Sequence, residues 1–470
     1  MKIVLIESRG TSKFLHNGLA YLSGVLKQND RHALKIFDLN FLDWSEDKMI
    51  EAIEEEKPDL IGFSVKSFSV NNVLNLARKI KEKTAAKMIA GGPHITLCAK
   101  EFFAIENNDI FDFGFQGEGD ISFPIFCDNL VNKEKYKEIA GLVYKDDKGV
   151  WQFNKSEFVS DLNNIARPDF KNFAGGEIEF EKQEGYPLLT SRGCPYSCIY
   201  CSVSKISGRK WRARNVENIL SELEEAIKVY NIKSFKIIDD NFTLDMERAK
   251  EFCRKLIGKN LNLKWNCPNG IRADKIDDEL ADLMRRAGCG RVSLGIESGD
   301  EKVFNFINKG EKLEAVEKAV KVLKKAGIKV DGFFIIGLPF ETVKSAQKSA
   351  RLAEKLGLNS VKWNMLVPYP QTVLWDWVMK NGKTLKSFTQ GQHFSREKSI
   401  EPTFETADYK AKDRVRAYKI ANLSTGAYQY VFKRPKNKGL FYLKYSFYLL
   451  RYNPVLFFRK ILKKLKLKKT

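Results

Sequence analysis

The chain has 470 residues, 43% of them apolar. That is room for two to four domains at roughly 150 residues each, with sizeable cores. Its formal charge is +21, yet no Asp or Glu follows Asp413, and residues 414–470 hold 16 Lys and Arg. The rest of the chain is therefore close to neutral, which argues against a chain-wide nucleic-acid surface and leaves the basic segment to be explained separately.

The opening MKIVLIESRG reads as a strand entering a loop, not as a cleavable apolar segment. No apolar run reaches the roughly 18 residues needed to span a bilayer. A reducing cytoplasm is the expected location. Residues 1–138 alternate short strands with amphipathic helices. KIVLIE (2–7) comes first. A helix follows with Leu19, Leu22, Val25 and Leu26 on one face. Then come ALKIFDL (33–39), helix 45–56, DLIGFSV (59–65), helix 70–83, KMIAGG (87–92) and FDFGFQGEGD (111–120). This rhythm predicts a doubly wound, Rossmann-like parallel sheet. Ser64, Gly91, Gly92, Gly117 and Gly119 fall in loops after strands, where such folds bind ligands. Residues 139–186 read as a hairpin turning at DDKG and an irregular connector.

A second βα series occupies 187–370. Its strands are 187–191, 234–239, 264–268, 291–297, 330–337 and 361–368, with helices near 216–230, 245–259, 277–287, 312–326 and 342–356. Six such strands predict a partial (β/α)6 barrel with all strand ends at one mouth. Residues 371–435 read as helices on the substrate side, where Trp375, Trp377, His393 and Phe394 are candidates for lining, though core packing explains each aromatic as well. Residues 436–470 form a basic amphipathic tail, split into two helical stretches at Asn453-Pro454. After the split, Leu456, Phe458, Ile461, Leu462 and Leu465 recur at helical spacing, interleaved with Lys460, Lys463, Lys464 and Lys466. This pattern predicts a helix on an anionic membrane surface, with roughly 1 kcal/mol from each basic residue. A solvated tail and a helix docked on the barrel are the competing expectations. Nucleic-acid binding is disfavoured for want of a folded module.

Five of the eight cysteines are scattered (Cys98, Cys127, Cys253, Cys267, Cys289) and three are clustered in SRGCPYSCIYC. Thiolates suit iron–sulfur clusters or zinc. A structural zinc site wants four ligands, and no nearby Cys or His completes one. Three thiolates on one loop, Cys194, Cys198 and Cys201, fit a four-iron cluster with one iron open.

This loop resembles the C-x3-C-x-aromatic-C loop of radical S-adenosylmethionine (SAM) enzymes. The resemblance implies a [4Fe-4S] cluster whose open iron chelates SAM, and reductive cleavage of SAM to a 5′-deoxyadenosyl radical. It places Tyr200 beside the adenine. It makes Asp239, Asp240 and Asn241 candidates for the methionine part of SAM, and Ser293 and Glu297 candidates for its ribose or amino group. Arg212 and Arg214 are candidates for its carboxylate. GLPFET (337–342) and PYPQT (368–372) resemble family turns, with Phe340 and Gln371 standing where the family has glycine. An external electron donor of flavodoxin or ferredoxin type is implied.

The first domain resembles the cobalamin-binding domain fused to such barrels, through GLAYLSGVLKQ, DLIGFSV, AGGPHIT and FQGEGDISF. By that resemblance Ser64, Gly91, Gly92, Pro93, His94, Gly117 and Glu118 line the corrin or its nucleotide tail. The string Asp30-Arg31-His32 carries half of a cobalt-ligating motif but precedes the second strand, and is read as coincidence. The expected activity is cobalamin-dependent C-methylation of a small-molecule or lipid-like substrate. Oxidative cyclisation or other carbon remodelling by the same domains is the alternative. A tRNA methylthiotransferase would carry a second three-cysteine cluster in the first domain, which holds only Cys98 and Cys127. A non-catalytic membrane-surface protein with a relic cluster is the fourth reading. No catalytic acid or base is singled out.

Overall fold

The computed structural model describes all residues except 10–14, 29–30, 105–108, 391–399, 432–437, 453, 455–456 and 459–470. The chain forms two compact units. One contains 1–195, 202–240 and 261–263; the other contains 196–201, 241–260 and 264–470.

In the first unit, β1 (Lys2–Glu7), β2 (Ala33–Asp38), β3 (Leu60–Ser64), β4 (Lys87–Gly91) and β5 (Phe113–Phe115) form a parallel sheet in the order β2-β1-β3-β4-β5. The antiparallel pair β6 (Leu142–Lys145) and β7 (Trp151–Phe153) extends it past β5. Asp146 closes the expected DDKG turn by accepting from the amides of Lys148 and Val150 at 2.9 and 3.0 Å. The parallel strands are near-continuous apolar runs because helices cover them. The helix Val70–Lys81, for instance, buries Val70, Val73, Leu74, Leu76, Ala77 and Ile80. Register decides what lies at the C-terminal edge. Glu7 pairs with Asp38 and with Ser64, and Ser64 pairs with Gly91. These four residues form one row at the mouth of the sheet.

The same unit holds β8 (Tyr186–Leu188), β9 (Ser191–Arg192), β10 (Arg212–Ala213) and β11 (Ser234–Ile237). β8 and β11 pair in parallel around the helix Val216–Tyr230, while β9 and β10 pair antiparallel. The single strand expected over 187–191 is therefore two short ones, the second turning to meet β10.

The second unit is built on four parallel strands, β12 (Lys264–Ile271), β13 (Cys289–Glu297), β14 (Lys329–Ile336) and β15 (Ser360–Met365), each paired with the next. Helices intervene at Asp278–Arg286, Leu313–Lys325 and Val343–Leu356, beginning on the side-chain caps Asp277 and Thr342 in the first and last cases. The pairing of β13 with β14 shifts register between Gly295 and Glu297. The unit ends in the helices Ala411–Ser424 and Lys438–Tyr452. Among the described residues no helix is long and apolar enough to cross a membrane. Most of the tail pattern after Asn453, together with His393 and Phe394, lies outside the described residues.

Candidate functional site

A cavity of about 340 Å³ opens above the row of strand ends in the first unit. Its walls are apolar (Leu5, Leu22, Ile89, Phe115, Phe123), and Ser64, Gly91, Gly92, Pro93, Gly117 and Glu118 also line it. Gly92 has φ +95°, and a Cβ there would approach the Val65 backbone to 3.0 Å. Only glycine fits that turn without strain. His94 does not reach the cavity. The helix Pro93–Phe103 carries its imidazole inward, where Nδ1 lies 3.2 Å from Ser67 Oγ and the ring stands edge-on to Phe102 at 5.8 Å. Burial pushes its pKa down to about 4.

The histidine that does line the cavity is His16, which the sequence reading passed over. It sits just before the helix Asn17–Gln28, and its Nδ1 accepts from the Leu19 amide at 3.1 Å. The ring proton is thereby assigned to Nε2, which lies 2.9 Å from Ser64 Oγ and 3.4 Å from Glu7 Oε2. Lys66 Nζ holds the other Glu7 oxygen at 2.7 Å, and Asp38 accepts from the His16 amide at 2.8 Å. Burial and the Lys66 charge push the His16 pKa down to about 3. The available signal was position: a histidine one residue ahead of an amphipathic helix, in the loop after the first strand. His32, by contrast, pairs with Asp128 at 2.9 Å and does not line the cavity.

Two arginines tie the second glycine loop to the strand pair β9–β10. Arg212 meets Glu118 with both Nη atoms at 2.8 Å, and also donates to the carbonyls of Val159 and Ser207. Arg192 meets Asp120 at 2.7 and 3.0 Å. This corrects the expectation that Arg212 binds a SAM carboxylate, because its guanidinium is buried and already occupied. Arg214 is likewise engaged, with Glu222 at 2.6 Å and the Leu189 carbonyl at 2.8 Å. Asp239 accepts from the Thr190 amide, the Thr190 hydroxyl and the Ser191 hydroxyl at 2.5–2.6 Å. Asp240 accepts from the Ser207 hydroxyl and the Gly193 amide, with burial raising its pKa. Both aspartates therefore brace the segment 190–193 that leads into the cysteine loop.

In the second unit Tyr200 donates its hydroxyl to Glu297, and burial raises the pKa of both, against the pull of Lys309 on Glu297. Glu297 ends β13 with φ +64°, a left-handed conformation that a non-glycine residue holds only under constraint. Lys309 lies 3.8 Å from Glu297 and 3.0 Å from Glu311, and donates to the Gly295 carbonyl. Arg272 completes the network through the Lys309 carbonyl at 2.7 Å, Glu311 at 3.4 Å and the face of Tyr196 at 3.5 Å. Lys309, Glu311, Arg272 and Tyr196 were not foreseen, since nothing in their local sequence announces a shared network. Ser293 and Asn241 are buried, and Trp377 packs on Phe306 and Phe340.

Cys194 belongs to the first unit, and Cys198 and Cys201 to the second. The loop 196–201 is anchored by the Ile199 amide to the Ile307 carbonyl at 3.1 Å and by the Leu374 amide to the Ile199 carbonyl at 2.9 Å. All three cysteines are half-buried; the other five are buried. Among the described residues no three His, Cys, Asp or Glu side chains gather closely enough to hold a single metal ion.

Comparison with known proteins supplies the family. The B12 binding domain matches residues 4–126 and the Radical SAM superfamily matches residues 188–353. An uncharacterised methyltransferase of Pyrococcus horikoshii is 28% identical, covering 89% of this chain and 88% of its own length. Cytidylyl-2-hydroxyethylphosphonate methyltransferase of Streptomyces wedmorensis is 28% identical over 74% of each chain. Among solved structures, the radical S-adenosylmethionine methyltransferase TsrM of Kitasatospora setae, with cobalamin and a [4Fe-4S] cluster bound, has the same fold. Its TM-score is 0.71 at 17% identity, covering 82% of this chain and 81% of that one. The chain belongs to the radical SAM enzymes that carry a B12-binding domain.

Proposed function

We propose that this enzyme is a cobalamin-dependent radical SAM methyltransferase acting on an unactivated carbon. The observation that carries the reading is the contrast among its thiols. Cys98, Cys127, Cys253, Cys267 and Cys289 are buried and scattered, and burial pushes the Cys98 and Cys289 thiols up to about 12 and raises Cys127 and Cys253 as well. The three half-buried cysteines share one loop, and that spacing supports Cys194, Cys198 and Cys201 as ligands of a [4Fe-4S] cluster with one iron open to SAM.

The residues around the first cavity suit cobalamin. A Gly91-Gly92 turn with no Cβ lets backbone approach a flat macrocycle, and apolar walls suit its faces. Ser64, Pro93 and Gly117 complete the proposed cradle, and Tyr21 lines it beside Arg192. When bound, the cluster with SAM supplies one-electron chemistry and cobalamin supplies a methyl carrier. The chain's own work is binding, orientation and exclusion of water. Tyr200 and Glu297 form one hydrogen-bonded unit that offers Glu297 Oε to a ribose hydroxyl or an ammonium group. Ser293 and Asn241 lie buried within the same unit and are proposed to support that contact. Asp239 and Asp240 hold segment 190–193 and are proposed to place it against the methionine part of SAM. The reductant is an external flavodoxin or ferredoxin type donor, and the substrate is proposed to be lipid-like or otherwise membrane-associated, on the strength of the basic C-terminal segment.

The test is anaerobic reconstitution with iron, sulfide and cobalamin, followed by SAM and a strong reductant, with products read by mass spectrometry. Methylcobalamin and S-adenosylhomocysteine beside 5′-deoxyadenosine is the expected result. 5′-Deoxyadenosine alone would replace methyl transfer by oxidative cyclisation or other carbon remodelling. Neither product, with Cys198→Ala behaving as the parent, would overturn the reading.

A further inference from the structure

We infer that the helix Lys438–Tyr452 seats this protein on an anionic lipid surface through its outward face. Among the described residues, the helix packs on Ala411–Ser424 with one side. Leu449 is buried against Leu423, with Phe441, Tyr445, Tyr448 and Tyr452 around them. The Tyr445 hydroxyl donates to the Leu423 carbonyl at 3.1 Å, and Lys419 Nζ lies 5.3 Å over the Tyr452 ring. That side has its partners.

The other side is also apolar. Leu440, Leu443, Phe447 and Leu450 are 56, 70, 58 and 44% exposed. Their spacing of three, four and three residues draws them into one stripe along the helix. A helix that merely covers a core presents polar residues outward, so a second apolar stripe marks a surface that something covers.

Charge decides what covers it. Lys444 and Arg451, seven residues apart, run along one flank of the stripe. The helix itself carries Lys438, Lys444 and Arg451 and no acid, so the charge along it is of one sign. A second copy docked symmetrically through this helix would set that charge against itself. An anionic leaflet satisfies both features together. The stripe enters the acyl boundary, and Lys and Arg extend their stems toward the headgroups. At about 1.5 Å per residue the helix is too short to span the bilayer and lies in its plane. The tail pattern expected from sequence follows Asn453 and lies mostly outside the described residues; the helix before it carries an apolar stripe of its own.

The inference is independent of the methyl-transfer reading, and its test needs neither SAM nor reductant, so either can fail alone. The full chain would be co-sedimented with vesicles of phosphatidylcholine, with and without roughly one-third phosphatidylglycerol. Binding to the anionic vesicles only is expected. Leu443→Glu with Phe447→Glu should weaken it about tenfold or more at an unchanged unfolding midpoint, and Lys444→Glu with Arg451→Glu by about thirtyfold or more, given the energy of each lost or reversed charge. The milder Leu443→Ser with Phe447→Ser pair should show the same direction and guards against misfolding. Unchanged binding in the Glu or Ser pairs would place the contact elsewhere and overturn the inference. So would equal binding to neutral vesicles, or a sedimentation-equilibrium dimer that the Glu pair dissolves without vesicle binding in the parent.

Discussion

Arg212 and Glu118, 94 residues apart in sequence, meet as a two-pronged ion pair with both contacts at 2.8 Å. The pair and its neighbour Arg192–Asp120 link the second glycine loop of the cobalamin-type sheet to the two strands that flank the cysteine loop in sequence. Both guanidiniums are largely withdrawn from water, so each needs its carboxylate.

Replacing Arg212 by Met should therefore cost about 3 kcal/mol, the low end for a broken buried pair, because Glu118 then keeps only the Val159 amide at 2.7 Å and the Arg192 guanidinium at 3.6 Å. The double change Arg212→Met with Glu118→Met should recover most of that loss in urea unfolding. A double variant that refolds but no longer binds SAM would restore the original carboxylate-binding role for Arg212. A double variant that keeps SAM affinity and loses cobalamin affinity is the outcome expected of a residue that positions the glycine loop.

Tyr200 and Glu297 yield a prediction that separates binding from folding. Tyr200→Phe keeps the ring and removes one hydrogen bond to Glu297, an interaction worth about 1.5–3 kcal/mol when one partner carries charge. The rate of 5′-deoxyadenosine formation at low SAM should fall about tenfold or more, by the same energy. Glu297→Gln should fall further while leaving the iron content and cluster absorbance unchanged. Loss of the cluster in either variant would assign the pair to loop structure instead of SAM binding.

Much of this site could be read from residue order, because its logic is local. The Gly91-Gly92 turn announces itself by residue type, since a φ of +95° at Gly92 is a conformation few other residues adopt. The cysteine loop is a spacing, and Tyr200 is part of it. What escaped the reading depends on contacts between distant segments. Arg212 looked available because nothing nearby in sequence pairs with it; its partner comes from the other end of a long connection. His94 looked like a lining residue because it follows the glycines, but one turn of helix rotates it into the core. His16 became visible only when register set Glu7, Ser64 and Gly91 in a row beneath it. The network of Lys309, Glu311 and Arg272 is invisible for the same reason: three charged residues of ordinary appearance converge only after β12 and β13 pair.

The two departures from the family turns have a measurable consequence. Phe340 and Gln371 stand where glycine was expected, and both keep a left-handed backbone at φ +61° and +64°. The turn survives and the strain is local, about 1 kcal/mol for a residue with a Cβ. Gln371→Gly relieves that strain and should raise the unfolding free energy by about 0.5–1 kcal/mol. Phe340→Gly should not, because its ring stands edge-on to Phe306 at 4.8 Å and to Trp377 at 6.1 Å, contacts worth about as much as the strain. Equal effects at the two positions, by thermal or urea unfolding, would remove the strain argument.

Glu341 makes stability fall as pH rises. It is buried beside the Gly337 and Leu338 amides, with Arg414 and Tyr409 near it, and burial pushes its pKa up to about 8 against the Arg414 attraction. Between the ordinary carboxylate range and that value the folded chain holds a proton that the unfolded chain has released. Unfolding free energy then decreases with pH, since its slope follows the protons bound unfolded minus those bound folded. The contribution is whole below about pH 4.5 and is lost as pH climbs through about 8, a span on the order of 5 kcal/mol if nothing relaxes. Glu341→Gln keeps the acceptor for the Gly337 amide and removes the titration. Urea unfolding from pH 5 to pH 9 should show the parent losing stability along this window and the variant following a flatter line, overtaking the parent at the alkaline end. Parallel curves for the two proteins would mean that Glu341 is ionised in the folded state and that Arg414, not burial, governs it.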